Sequence, residues 1–272
     1  MAVRKKEASA AAECKMKLKI IDKDKLSMTF VLEGITEAVA NTIRRYAINE
    51  VPTLAIEEVS IQRNSSALYD EILAHRLGLV PIKTDLKSYK TKEECPCKGK
   101  GCAQCTLFLS MKVKGPATVY SSQLESKDPK AVPVIENIPI TKLLKNQEVK
   151  LEATAILGKG KTHMKFSPGL VYYKGYPTIT IEKRSGIKKV IDASDNCLVE
   201  KDDNLVIKDF KKWNDALEEL CEKNGMKLAA SKEDFIFTIE SWGQLSPKEI
   251  LLKALEIYDD KLDEFAKLVK KF

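Results

Sequence analysis

The chain has 272 residues, 44% of them apolar, so it is long enough for one large or two to three small domains with hydrophobic cores. Its 46 Lys and Arg residues against 39 Asp and Glu residues give a formal charge of +7, which fits contact with acidic proteins or nucleic acid and equally fits an ordinary soluble protein. It lacks the ~18 uninterrupted apolar residues of a membrane helix and the apolar stretch of a secretory signal, so we expect a cytoplasmic protein.

The first fifteen residues are dominated by Ala, Lys and Glu, and they predict a disordered tail in which Met16 is an alternative start to Met1. After the tail, residues 17–21 and 26–32 alternate between apolar and polar around a turn-like Asp-Lys-Asp-Lys stretch. This pattern predicts a β-hairpin at the beginning of the folded part.

A helix is predicted over residues 36–50, because Val39, Ile43 and Ala47 share one face, and Pro52 ends it. The pattern then predicts, in chain order, a strand over 54–62, a short helix over 69–82 closed by Gly78, strands over 106–113 and 118–120, a loop with a short helix over 126–148, a strand over 149–157, a helix over 208–224 and a strand over 235–240.

The last helix carries the clearest start signal in the chain. Ser246 is placed to cap it, Pro247 follows in the first turn, and Glu249 stands three residues after the cap. Its apolar residues recur at steps of three and four, at Leu251, Leu255, Tyr258, Leu262, Phe265 and Val269. A helix of about 40 Å needs a long surface to lie against, either its own sheet or the equivalent helix of a partner, and the pattern leaves both open.

Four of the seven cysteines fall within eleven positions, at Cys95, Cys97, Cys102 and Cys105. Four thiolates in one short loop can fill a tetrahedral zinc shell, which leaves no position for water and predicts a structural rather than a catalytic ion. The glycines at 99 and 101 let the loop double back between the ligand pairs. An iron–sulfur cluster and a metal-free, reduced loop remain alternatives.

Signals for an active site are weak. His75 and His163 are the only histidines, which leaves few groups for acid–base chemistry. The stretch GKGKT at 158–162 resembles a phosphate loop, but the glycine required at 155 is Ala155. We therefore expect no active site in this chain.

Arg44 and Arg45 are adjacent on the first predicted helix, where successive side chains point about 100° apart. Both cannot face the core together with Ile43, so at least one must be solvated or contact another molecule.

Four stretches together resemble one known family: NTIRRYAINEVPTLAIEEVSI (41–61), YDEILAHRLGLVPI (69–82), GKGKTHMKFSP (158–168) and ESWGQLSPKEILLKALEIYDDKLDEF (240–265). In this order they resemble the family of the D-type subunit of archaeal DNA-directed RNA polymerase. Its relatives are the third subunit of eukaryotic RNA polymerase II and the amino-terminal domain of the bacterial α subunit. The resemblance covers nearly the whole chain from Met16.

The resemblance implies a non-catalytic subunit of DNA-directed RNA polymerase. Such a subunit pairs with the small L-type subunit, contacts other small polymerase subunits, and forms the platform on which the large catalytic subunits assemble for transcription. It touches DNA only indirectly and does not contact a membrane. The implied fold is α+β: a discontinuous dimerisation domain of a sheet plus two helices (16–52 and 236–272), an inserted mainly-β domain with the zinc loop (53–182), and a small ferredoxin-like α+β insertion (183–235).

The resemblance also assigns partner-binding residues. Those facing the core shared with the L-type subunit are Leu251, Leu255, Tyr258, Leu262 and Phe265, and those matching the segment that touches the second-largest subunit are Asn41, Arg44 and Arg45.

The cysteine loop is similar to the zinc loop of the eukaryotic relative. Many archaeal members carry an iron–sulfur cluster in the insertion, but residues 183–235 of this chain keep only Cys197 and Cys221, so we expect no such cluster. The alternative to the polymerase assignment is a free-standing zinc-containing protein that binds nucleic acid through the basic stretches 98–100 and 159–161. Against it, the sequence does not interleave aromatic with basic residues.

Overall fold

The computed structural model describes residues 16–201, 204–210 and 212–271. The predicted disordered tail, residues 1–15, lies outside this range. The chain divides into two compact units: the described parts of Met1–Thr42 and Tyr172–Thr238 form the first, and those of Ile43–Val171 and Ile239–Phe272 form the second. Within the described residues, no helix combines the length and apolar content needed to span a membrane.

Helices and strands are mixed along the chain, which confirms the predicted α+β class. In chain order the elements are β1 (Lys17–Lys23), β2 (Ser27–Glu33), α1 (Glu37–Asn49), β3 (Pro52–Asn64), α2 (Asp70–Gly78), β4 (Thr106–Lys114), β5 (Ala117–Tyr120), β6 (Glu125–Ser126), β7 (Pro139–Leu143), β8 (Glu148–Lys159), β9 (Gly169–Ile181), α3 (Ile187–Ala193), β10 (Leu198–Lys201), β11 (Asn204–Ile207), α4 (Asp215–Lys223), β12 (Met226–Ser241) and α5 (Pro247–Val269).

The first unit is built on a six-stranded sheet in the order β1-β2-β12-β9-β11-β10. The predicted hairpin is confirmed as β1 and β2, which pair antiparallel. One face of the sheet is held by stacked aromatic rings, because Phe30 lies 5.4 Å from Phe237 and Tyr173 lies 5.3 Å from the same ring. Such pairs stabilise a core beyond the apolar area they bury.

The remainder of the first unit has a small core of its own, formed where α3, α4 and the β10–β11 hairpin meet. Val190, Cys197 and Cys221 are fully buried in it, and Trp213 is also buried there. Burial raises the pKa of the Cys221 thiol to about 11, so this group stays protonated near neutral pH. Both cysteines therefore behave as small apolar core residues.

The second unit contains a four-stranded antiparallel sheet in the order β3-β8-β4-β6 and a separate β5–β7 pair. Strand β4 alternates strictly, with every second residue buried from Leu107 to Val113, as expected for a sheet with one face in water. Helix α2 covers the buried face with Leu73 and Leu77, both fully buried.

Three parts of the chain differ from the pattern-based prediction. Residues 126–148 form no helix and instead contain β7, which pairs with β5. The helix predicted over 208–224 begins only at Asp215, because the Asn214 side chain accepts a hydrogen bond from the Leu217 N–H and caps it there. Strand β12 runs over sixteen residues rather than over 235–240 alone.

The compact units do not test the finer domain limits predicted from the sequence. The inserted β-rich domain over 53–182 and the ferredoxin-like insertion over 183–235 stay predictions.

Candidate metal centre and assembly surfaces

The four loop cysteines point their sulfur atoms at one another. Their Sγ atoms all lie within 4.8 Å of each other. The Sγ of Cys97 is 3.4 Å from that of Cys95 and 3.5 Å from that of Cys105, and the Cys95 and Cys102 Sγ atoms are 3.5 Å apart. Thiolates bound to one zinc ion at ~2.3 Å occupy the corners of a tetrahedron about 3.8 Å apart. The cluster therefore fits a tetrahedral ion with little rearrangement.

The backbone of the loop explains how so few residues converge. Lys98, Gly99 and Gly101 adopt positive φ angles of 52°, 78° and 87°, which turn the chain sharply between the two ligand pairs. The N–H groups of Cys105 and Thr106 both donate to the Cys102 carbonyl at 2.9 Å, so the last ligand is held next to the first residue of β4. The loop is thus attached directly to the sheet.

Hydrogen bonds within the cluster shift the pKa values of two thiols in opposite directions. Hydrogen bonds with Cys95 and then with the other thiols lower the pKa of Cys97 to about 6. The N–H of Cys97 acts to lower the pKa of Cys95, but burial and hydrogen bonds to the other three thiols raise it to about 12. Binding of a cation would release the protons that the thiols hold, because only thiolates are metal ligands.

The donor set suits a structural ion. Cys95 and Cys105 are buried, and Cys97 and Cys102 are half-buried. In the described part of the chain, this is the only group of three or more Cys, His, Asp or Glu side chains close enough to share a metal. Four sulfur ligands complete a tetrahedron, so no coordination position is left for water or substrate.

Both histidines line a different place, a cavity of about 230 Å³ beside α2. His163 accepts a hydrogen bond from the Lys165 N–H through Nδ1. The Lys165 ammonium lies 2.5 Å from a Glu57 carboxylate oxygen and donates to the Ile56 carbonyl at 3.0 Å. This lysine is therefore held against β3 by an ion pair, and the residues that line the cavity include no Ser, Thr or Cys nucleophile. Lys165 and Glu57, more than a hundred residues apart, gave no signal in the sequence.

Helix α5, in the second unit, begins with the capping residues that the sequence predicts. The Ser246 hydroxyl accepts from the Glu249 N–H and the Glu249 carboxylate accepts from the Ser246 N–H, so the two residues form a capping box. Ile250, Leu251 and Ala254 are buried within the chain. The first two turns of the helix are thereby fixed.

A three-residue clamp holds a later turn of α5 to the end of α1. The Glu50 carboxylate is 13% exposed and lies 3.1 Å from the Lys261 ammonium and 3.8 Å from that of Lys159. Lys261 also lies over the ring of Tyr46, and Tyr46 meets Tyr258 edge to face at 5.1 Å. Sequence spacing gave no indication of this clamp.

Towards its end, α5 leaves the cover of the described chain. Every residue from 259 to 271 is exposed. We call the apolar residues on its continuing face the α5 stripe: Leu255 is 39% exposed, Leu262 47%, Phe265 65% and Val269 54%. Tyr258, between Leu255 and Leu262 on the same face, is half-buried. Leu251, in contrast, is only 8% exposed and packs inside the chain.

The three polar residues predicted to bind a partner lie on α1. Arg45 is exposed, whereas Asn41 and Arg44 are half-buried and hold contacts within the chain. The expectation that at least one of the two adjacent arginines points outward is met by Arg45.

Comparison with known proteins gives the family. Residues 56–169 match the family described as the RNA polymerase Rpb3/RpoA insert domain. The chain is 37% identical over 257 residues to DNA-directed RNA polymerase subunit Rpo3 of Archaeoglobus fulgidus, covering 93% of this chain and 97% of that protein. The Rpo3 subunit of Methanosphaera stadtmanae is 38% identical over 267 residues, with 93% and 98% covered. That of Pyrococcus horikoshii is 36% identical over 256 residues, with 92% and 96% covered. The chain therefore belongs to the Rpo3 family of DNA-directed RNA polymerase subunits.

Proposed function

We propose that this chain is a non-catalytic assembly subunit of a DNA-directed RNA polymerase, acting in the cytoplasm. The observation that carries the proposal is the α5 stripe, an apolar helix face that is attached at its first turns and that the described residues leave exposed towards its end. Exposed apolar surface of this kind marks a protein–protein contact. Family membership supports the same role, since the related proteins are named as polymerase subunits.

The partner proposed for the α5 stripe is the small L-type polymerase subunit. Leu255, Tyr258, Leu262 and Phe265 would enter the shared core, since they lie on the face that leaves the cover of this chain. Leu251 would contribute indirectly, by anchoring the helix in this chain's own core. Asn41, Arg44 and Arg45 are proposed to contact the second-largest subunit, and of these Arg45 is the most accessible. Other small subunits would join the same platform.

The proposed cofactor is one structural zinc ion bound by Cys95, Cys97, Cys102 and Cys105. The sulfur–sulfur distances and the closed donor set support it. We propose no iron–sulfur cluster in the 183–235 insertion, because its two cysteines are both core residues.

The partner proposal is tested by co-purification with the L-type subunit. In a Leu262→Ser/Phe265→Ser variant, we expect loss of most of the bound partner, because both side chains are exposed and would lie at the centre of the contact. The matched control is Asp263→Ser/Lys267→Ser on the same exposed part of α5, which should retain the partner. Unchanged recovery of the partner with the apolar variant would refute the contact. Strong salt-dependent DNA binding by the isolated chain would instead favour a nucleic-acid-binding protein.

The zinc proposal is tested by metal analysis of the purified chain. We expect about one zinc ion per chain, lost on Cys105→Ser and retained on Cys197→Ala. Both cysteines are fully buried, so the pair separates loss of a ligand from loss of packing. Equal zinc content in the two variants would exclude the site.

A further inference from the structure

The loop that carries the four cysteines, residues 90–105, also carries charged side chains that form no ion pair with residues that the structure describes. They are Lys90, Lys92, Lys98, Lys100, Glu93 and Glu94. Five of them are exposed and Lys92 is half-buried. Among the described residues, these six side chains form neither a salt bridge nor a side-chain hydrogen bond. Contacts within the described part of the chain therefore do not balance the excess of lysine charge.

The four lysines lie on two backbone segments that adjoin the cysteine ligands. Lys98 directly follows the ligand Cys97, and Lys100 stands two residues before the ligand Cys102. The Lys90 N–H donates to the carbonyl of Gln104 at 2.8 Å, next to the ligand Cys105. The Lys92 carbonyl lies 3.8 Å from where a Cβ on Gly99 would be. The backbone segments 90–92 and 98–104 therefore lie against each other in the cysteine loop.

The net charges of the loop and of a metal centre distinguish DNA binding from stabilisation of the metal centre as the role of the lysines. Four thiolates with one divalent cation carry two negative charges in excess, and four lysines with two glutamates carry two positive charges in excess. The metal-loaded loop is close to neutral and offers little attraction to a polyanion such as DNA. The net charge of the six side chains is equal in size and opposite in sign to that of the metal–thiolate centre.

We infer that Lys90, Lys92, Lys98 and Lys100 are electrostatic supports of the metal–thiolate centre, and that they raise its affinity for a divalent ion. The inference rests on the proposed zinc site. Binding converts the thiols into thiolates and releases their protons, and the nearby ammonium groups stabilise the charge left on sulfur. Glu93 and Glu94 act in the opposite direction.

The size of the effect follows from Coulomb's law. At a charge separation of about 10 Å, which is near the Debye length at 0.1 M salt, screening removes much of the attraction between an ammonium group and a thiolate. At that separation, removing two lysine charges should weaken zinc binding about sevenfold at 0.01 M ionic strength and about threefold at 0.1 M salt. The difference should vanish near 1 M salt, where the Debye length is about 3 Å.

The experiment compares three double variants of the full chain by competition for zinc with a chromophoric chelator at fixed pH. Lys98→Gln/Lys100→Gln should weaken binding as stated. Glu93→Gln/Glu94→Gln should strengthen it by a similar factor. Lys112→Gln/Lys114→Gln is the control, because it removes the same charge at least about 20 Å along β4 from Cys105 and should change nothing.

The outcomes separate the inference from the site on which it rests. A wild-type chain without bound zinc refutes the site. Zinc binding that is equal in all three variants, or weakened alike in the two lysine variants, refutes the role of the loop lysines. A loss that persists unchanged at 1 M salt also refutes it, since a charge effect must be screened. Intact zinc affinity with reduced DNA binding on Lys98→Gln/Lys100→Gln would assign the lysines to nucleic acid instead.

Discussion

Gly160, just after β8, occupies a position where no side chain fits. A Cβ built there would lie 2.2 Å from the Ile48 carbonyl oxygen, and the neighbouring Lys161 N–H donates to the Asn49 carbonyl at 2.9 Å. The end of α1 therefore rests directly on the backbone of this turn. The glycine that resembles part of a phosphate loop in the sequence is required for close packing.

A Gly160→Ala variant should lose about 2–4 kcal/mol of unfolding free energy, because backbone must move to admit the methyl group. Gly78→Ala is the matched control. Its nearest backbone neighbour would be the Ile56 carbonyl at 3.6 Å, an ordinary contact, and the residue is helical. We expect that change to be neutral or stabilising by up to about 1 kcal/mol. Urea denaturation of both variants measures the difference, and equal stabilities would show that the close approach is relieved at no cost.

Glu50 is the acidic centre of the clamp between α1 and α5. Replacing it by Gln should cost about 1–2 kcal/mol, because the partly buried ammonium of Lys159 and that of Lys261 lose their charged acceptor. Glu256→Gln removes the solvent-exposed partner of Lys253 and should change stability by less than about 0.5 kcal/mol. Thermal unfolding of the two variants compares the pairs, and a smaller loss for Glu50→Gln than for Glu256→Gln would contradict this account.

The roles of some of these residues can be predicted from the sequence, and those of others cannot. The four cysteine ligands are readable because they lie within eleven positions, so a short loop can bring them together. Glu50, Lys159 and Lys261 come from three distant elements, and their meeting depends on the tertiary fold. Leu251 looks equivalent to Leu255 by helical spacing, yet it is buried within the chain.

Among the elements, α5 depends most visibly on its first turn. Hydrogen bonds from Ser246 hold the pKa of Glu249 below its ordinary value, with smaller help from Lys83 and Lys87. A lowered carboxyl pKa contributes stability above the unfolded-state pKa, and that contribution is lost as the pH falls through the folded-state value.

Ser246→Ala should therefore cost about 1 kcal/mol at pH 7. The cost should shrink between about pH 5 and pH 3, as Glu249 takes up a proton and its share of the capping box is lost in wild type too. Urea denaturation across this pH range measures it. Ser110→Ala, on the exposed face of β4, should change stability by less than about 0.5 kcal/mol at every pH. A cost for Ser246→Ala that is the same at pH 7 and pH 3 would contradict the capping explanation.

Elements with sharp local signals could be predicted, and those defined by distant pairing could not. The capping box of α5 and the hairpin of β1 and β2 are encoded in neighbouring residues. The sequence pattern predicts no strand at β9, β10 or β11, and the last two are only four residues each. Strand β12 extends through residues 227–234, which show no regular alternation of apolar and polar residues, because β12 pairs with β2 and β9 from distant parts of the chain.

For the whole molecule, the α5 stripe predicts poor solution behaviour without a partner. The isolated chain should self-associate, and light scattering should show an apparent mass that rises with concentration. Leu262→Ser/Phe265→Ser should suppress this rise, while Asp263→Ser/Lys267→Ser should not. Adding the small L-type subunit should restore a concentration-independent mass for wild type. A wild-type chain that remains monomeric at all concentrations would contradict the assembly role.

Because the first turns of α5 are capped and buried, the conformation of the helix is set before a partner binds. A free peptide as short as the exposed half of the helix would be mostly unfolded in water, since starting a helix is costly. Here nucleation is already complete at the capped and buried end, so a binding protein encounters a preformed rod. Association therefore avoids much of the ordering entropy that a flexible tail would lose, and this favours tighter binding for the same buried area.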